Sequence, residues 1–123
     1  MKKKYRSKFF FFRDSNFNVF YKHVNELCDE LIKAGADIQW SVLVKGSNLD
    51  KNLFAKMKKA GCHRLARGIE SGSNRLLRLM KKDKSVEECA NLLEAAKEVV
   101  ISDMAYLMVG YSYENSQDLE QTA

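Results

Sequence analysis

The feature that most limits what this chain can fold into is a helix ending that occurs twice, Lys33-Ala34-Gly35 and Lys59-Ala60-Gly61. Each closes an amphipathic stretch, and each is followed by the start of an apolar run. A glycine just past a helix takes the left-handed backbone that terminates it, with no Cβ to oppose the turn. Before the first ending, Phe17, Phe20, Val24, Leu27, Cys28 and Leu31 recur at three- and four-residue steps. That spacing predicts a helix entered through the capping side chains of Asp14-Ser15-Asn16. Before the second, Leu49, Leu53, Phe54 and Met57 predict another helix, with Gly46-Ser47-Asn48 as a turn and Ser47 and Asp50 as a weak capping box. A helix, a glycine stop and a strand, used twice, imply parallel strands joined by right-handed crossovers.

The continuous apolar run Phe9–Phe12 reads as a first strand buried on both faces. Residues 38–44 and 64–69 read as the second and third strands, and 104–109 as a fourth ending at Gly110. Leu76, Leu77, Leu79 and Met80 mark a short helix. Ser85-Val86-Glu87-Glu88 is a sound capping box ahead of the stripe Val86, Cys89, Ala90, Leu93 and Ala96. Residues 114–123 look like the start of a further helix. The expectation is an α/β fold, a parallel sheet in sequence order with helices on one face. Four strands cannot close a barrel that takes about eight.

Between the third strand and the short helix stands Arg67-Gly68-Ile69-Glu70-Ser71-Gly72-Ser73. Gly68 and Gly72 permit positive φ or close approach of a ligand. Ser71, Gly72 and Ser73 offer N–H groups at a helix start, with Ser71 or Ser73 as its cap. Glu70 would end a strand, where α/β proteins bind ligands. Asp14, Lys45 and Gly110 fall at the ends of the other strands. On local residues alone, a surface acid beside an ordinary cap is an equal reading.

Composition narrows the classes. Apolar residues make up 46% of 123, enough for one domain with a core and against disorder. No run reaches the about 18 apolar residues of a membrane span. Lys2, Lys3 and Lys4 before Phe9–Phe12 mimic a secretory leader, but the apolar run is far below the about seven residues needed. A cytoplasmic protein without a membrane partner is expected. The net charge of +5 is spread along the chain and reads as solvated helix faces ahead of a nucleic-acid surface. Cys28, Cys62 and Cys89 match no metal or redox spacing, and Cys28 and Cys89 read as small core residues. Cys62-His63 supplies two soft ligands where a zinc or cluster site needs three or four. Proline is absent, where about six would be usual.

With these residues in place, the chain resembles the radical S-adenosylmethionine (radical SAM) enzymes, especially the branch whose members often carry a cobalamin-binding domain. Phe12-Arg13-Asp14-Ser15-Asn16-Phe17 resembles its F-x-D-D-x-F segment, with Ser15 for the second acid. Trp40 with Lys45 resembles W-x4-R, with Lys for Arg. Gly68-Ile69-Glu70-Ser71-Gly72-Ser73 matches its fourth-strand motif fully, and Leu76 to Lys82 resembles the segment that follows. Met108-Val109-Gly110 is similar to the end of its fifth strand. Tyr111-Ser112-Tyr113-Glu114 stands at x-P-G-E with only Glu114 in common, and Val100 stands where the family usually has a helix-ending glycine.

The resemblance implies a fragment of a partial (β/α)6 TIM barrel. Residues 1–123 would hold strands two to five, truncated at both ends. The intact enzyme would bind S-adenosylmethionine beside a [4Fe-4S] cluster and generate a 5′-deoxyadenosyl radical, with cobalamin as a further cofactor of the branch. Glu70 would accept from the ribose hydroxyls, with Gly68, Ser71 and Gly110 near the cofactor. Lys82 would pair with the methionine carboxylate, and Asp14 would face the substrate. The cluster motif C-x3-C-x2-C is not in this sequence. The chain would therefore need an N-terminal cluster-binding segment as partner, and would be inactive alone. Its outer strands would lack neighbours, so self-association is expected. Substrate and reaction type stay open. The alternatives are a basic module binding nucleic acid, or an inert gene remnant.

Overall fold

Both glycine stops take the backbone their position demands, with φ of 55° at Gly35 and 96° at Gly61. Their N–H groups bond back to Ile32 and Lys58, each at 3.0 Å. At Gly61 glycine is required twice over, because a Cβ would lie 2.2 Å from the Ile38 carbonyl oxygen. The computed structural model describes residues 7–45, 49–99 and 101–123. In chain order they form β1 (Phe9–Phe12), α1 (Tyr21–Lys33), β2 (Gln39–Leu43), α2 (Lys51–Lys59), β3 (Cys62–Glu70), α3 (Asn74–Leu79), α4 (Val86–Glu98), β4 (Ser102–Leu107) and α5 (Ser116–Thr122). The four strands pair in parallel as β1-β2-β3-β4. This is the sheet the repeat predicted.

α1 packs on α2, and α2 on α4. Together they bury one face of the sheet. Trp40, Val42, Val44, Cys62 and Leu65 meet Val24, Cys28, Leu53, Phe54, Met57 and Ala96 in a single core. The other face is open. Phe10 and Phe12 pack against the core, whereas Phe9 is 66% and Phe11 47% exposed. β1 is thus not buried on both faces as its apolar run suggested. It is an edge strand beneath helices that cover one side only. Met104 and Tyr106 of β4, the opposite edge, are exposed as well.

The first helix starts later than its spacing predicts. Phe17 and Phe20 precede it, and Phe20 caps it with no side-chain bond. Asp14-Ser15-Asn16 does not cap it. Residues 15–18 instead form a turn that fits the Phe17 ring against Phe12 and Trp40, with centroids at 5.2 and 5.7 Å. Aromatic burial there outweighs one more helical turn. α2 is capped by Asp50, whose carboxylate accepts from the Leu53 N–H at 2.7 Å. Gly46, Ser47 and Asn48 lie outside the described residues, as do Lys2 to Lys4 and Val100. The capping box at Ser85 and Glu88 is formed as read. Among the described residues, no helix is long and apolar enough to cross a membrane.

Candidate functional site

The carboxyl ends of β2, β3 and β4 open into a cleft of about 750 Å³. Leu43, Val44 and Lys45 line one side, Gly68, Ile69 and Glu70 the middle, and Lys82, Lys84 and Cys89 the other. Glu70 is its strained element. It carries φ of 73°, a left-handed backbone that a side chain with a Cβ adopts at a cost of about 1–3 kcal/mol. The ladder with β4 shifts between Gly68 and Glu70. The Glu70 carboxylate folds back over Gly68. A Cβ there would lie 2.4 Å from Glu70 Oε1, so glycine leaves the space that the carboxylate fills.

Two lysines from the segment after α3 hold this corner. Lys82 Nζ donates to Glu70 Oε1 at 3.0 Å. Lys84 Nζ donates to the Gly68 carbonyl. Burial lowers the Lys84 pKa from the ordinary lysine value. On the β2 side the buried Asn18 binds Lys45 by both backbone groups. Its Nδ2 donates to the Lys45 carbonyl at 2.7 Å, and its Oδ1 accepts the Lys45 N–H at 2.9 Å. A carboxamide has the donor–acceptor pair of a peptide, so Asn18 extends the strand end as a neighbouring strand would. Arg67, also at the cleft, forms a buried ion pair with Asp103 of β4.

The second half of the motif serves packing. Ser73 caps α3 and donates to Asp118 of α5 at 2.6 Å. Ser71 is buried, meets Thr122 Oγ1 at 3.0 Å and accepts the Ser73 N–H. The Gly72 N–H donates to Thr122 Oγ1 at 3.0 Å. The Gly72 and Ser73 N–H groups are therefore taken by the protein, contrary to their reading as open anion donors. The tail had no patterned face to reveal this docking. Arg75 pairs with Asp118 from the other side and, with Ser73, holds that carboxyl well below the usual carboxylate range.

A Cβ at Gly72 would lie 2.0 Å from the Gln121 carbonyl oxygen, on helix backbone that cannot swing aside. Gly72→Ala is expected to lift α5 off the turn, a steric cost of about 1–3 kcal/mol. Hydrogen exchange should then rise across residues 116–122 and stay unchanged in β2. Unaltered exchange in α5 would show that the contact is not tight.

The structure thus brings Gly68, Glu70 and Lys82 together and adds Lys45. It sets Asp14, Ser71 and Gly110 apart from the cleft lining. Asp14 is exposed beyond β1. Gly110 has φ of 85° and donates its N–H to Glu114 Oε2 at 2.6 Å. Tyr113, standing where the resemblance has glycine, keeps φ of 70°. Asn18 and Lys84 carried no signal in the sequence. Arg67 did, as a charge set among the apolar Leu65, Ala66 and Ile69 of a strand.

The cysteines occupy three elements. Cys28 in α1 and Cys62 at the amino end of β3 share the core, where burial pushes their thiols up to about 11 and about 12. Cys89 in α4 is buried, yet lines the cleft, and its pKa is also raised by burial. Among the described residues, no three His, Cys, Asp or Glu side chains gather to hold a metal. A [4Fe-4S] cluster takes grouped thiolates, and these thiols, buried on three separate elements, do not fit it.

Known proteins resemble the chain in sequence or in fold. An uncharacterised methyltransferase of Pyrococcus horikoshii is 24% identical over 111 residues, which is 90% of this chain and 24% of that protein. Anaerobic magnesium-protoporphyrin IX monomethyl ester cyclase of Rubrivivax gelatinosus is 26% identical over 116 residues, 93% of this chain and 21% of that protein. The cobalamin-dependent S-adenosylmethionine radical enzyme OxsB superposes with a TM-score of 0.84 at 16% identity, over 98% of this chain and 19% of its own. The chain thus spans about a fifth to a quarter of the length of these proteins. The Radical SAM superfamily pattern matches residues 3–123, and the chain belongs to that family.

Proposed function

We propose that the chain is a segment of a radical SAM enzyme core whose cleft takes the adenosyl and methionyl parts of S-adenosylmethionine. The observation that carries this is Glu70, strained over Gly68 at a strand's carboxyl end with Lys82 beside it. A carboxylate there accepts hydrogen bonds from a ribose diol. Lys82 exchanges its bond to Glu70 for the ligand's carboxylate, a charge-assisted contact. The strained backbone keeps the acid in place before the ligand arrives. Bound S-adenosylmethionine supplies the sulfonium that a reduced cluster cleaves in this family. The chain's own thiols do not suit that cluster, so the isolated chain is inactive in cleavage. The cluster and cobalamin belong to the proposed longer enzyme, whose cluster-binding segment would pair with this chain. Its free strand edges favour self-association of the isolated chain. A cytoplasmic location accompanies this reading.

Calorimetric titration with S-adenosylmethionine and with methylthioadenosine, which lacks the carboxylate, tests it. Glu70→Ala should weaken both ligands by about tenfold or more. Lys82→Met should weaken only S-adenosylmethionine, by a similar factor. Wild-type chain that binds neither ligand, or a Glu70→Ala chain that binds both unchanged, would overturn the proposal.

A further inference from the structure

Lys84 reads in the sequence as one more solvated lysine, and the proposed ligand contacts make no use of it. The geometry points to a different role: Lys84 is a positioning residue that props the bulge carrying Glu70. Its ammonium reaches back from the segment before α4 and donates to the Gly68 carbonyl, where β3 and β4 lose register. One residue of a bulged strand is left out of the ladder, so the local backbone depends on bonds from elsewhere. Pairing resumes one step on, where the Met108 N–H donates to the Glu70 carbonyl at 2.8 Å. Lys84 thus grips the near side of the bulge and Met108 the far side, with the left-handed Glu70 between them.

The charges around Lys84 are mixed. Glu70 attracts its ammonium, and Lys82 and Arg67 oppose it. Asp83 and Glu88 also line the cleft. Lys84 is half-buried, and burial disfavours its charge. An ammonium kept in such a place is explained by its bond to the carbonyl. Lys82 acts on the Glu70 carboxylate, whereas Lys84 acts on the backbone beneath it. The two lysines therefore divide the work.

The bulge itself is the first readout, since it needs no ligand. Amide hydrogen exchange by NMR should show the Met108 N–H exchanging about tenfold faster in Lys84→Met, the loss of one hydrogen bond from a charged donor. Lys84→Arg should restore it to within about twofold. The Trp40 N–H, bonded to the Gly61 carbonyl at 3.0 Å far from the bulge, should not change in either variant. Unchanged Met108 exchange in Lys84→Met, an arginine variant no better than methionine, or an equal loss at Trp40 would each overturn the proposal. The consequence for binding rests on the S-adenosylmethionine reading. Lys84→Met should weaken S-adenosylhomocysteine about tenfold, with rescue by Lys84→Arg. If the wild-type chain binds none, that reading fails, while the exchange result still decides the role of Lys84.

Discussion

Replacing Asp103 with alanine is expected to destabilise the fold by about 3–5 kcal/mol, read as a fall in the urea midpoint. Asp103 and Arg67 stand on adjacent strands, with side chains 11% and 6% exposed. Arg67 Nε donates to Oδ1 at 3.1 Å and Nη2 to Oδ2, a two-pronged pairing that fits the guanidinium to the carboxylate. Removing the acid leaves a buried guanidinium without its counter-charge, which is the costly event. The pair itself is worth much less. Burial raises the Asp103 pKa against the pull of Arg67, so desolvation outweighs the attraction. Exchanging both residues, Arg67→Met with Asp103→Leu, should therefore recover most of the loss. A single variant within about 1 kcal/mol of wild type, or a double variant as unstable as the single, would refute this account.

Trp40→Ala is the second large effect, about 3–5 kcal/mol by the same measurement. Trp40 is fully buried on β2, one of the two inner strands. Its ring stands edge-on to Phe12 at 5.5 Å and tilted to Phe17 at 5.7 Å. Its Nε1 donates to the Ala60 carbonyl at 2.8 Å, at the end of α2. One side chain thus ties the edge strand, the turn after it and the second helix stop together. Trp40→Phe keeps most of the apolar contact but leaves the Ala60 carbonyl without that donor. Its cost should be about 1–3 kcal/mol, between wild type and alanine. Equal losses for phenylalanine and alanine would place all the energy in the hydrogen bond. A negligible loss for both would show that the aromatic cluster is not the anchor.

Local signals decided the parallel sheet. Gly35 and Gly61 act within their own turns, and the stripes around Val24, Met57 and Ala96 report burial that repeats with helical period. Such features need no knowledge of what lies far away in the chain. The motif at Gly68 to Ser73 was legible for the same reason, and so was the placing of Glu70 at a strand end. The sequence could also set Cys28, Cys62 and Cys89 on three separate elements.

Whatever depended on a neighbour distant in sequence was left to the tertiary structure. Phe17 reads as helical by spacing, yet the ring leaves the helix because Phe12 and Trp40 offer a place to pack. The run Phe9–Phe12 reads as doubly buried, but only the covering helices decide which face stays open. Gly72 looks like a free donor, and Ser71 and Ser73 like plain caps, until α5 folds onto them across about 50 residues of chain. Asn18 and Lys84 bond to backbone groups just past β2 and within β3, far from them in the chain. Local periodicity fixes which elements form and in what order they pair. A polar side chain is assigned a partner only when folding brings two remote segments within hydrogen-bond reach, and that closure decided which residues stand around Glu70.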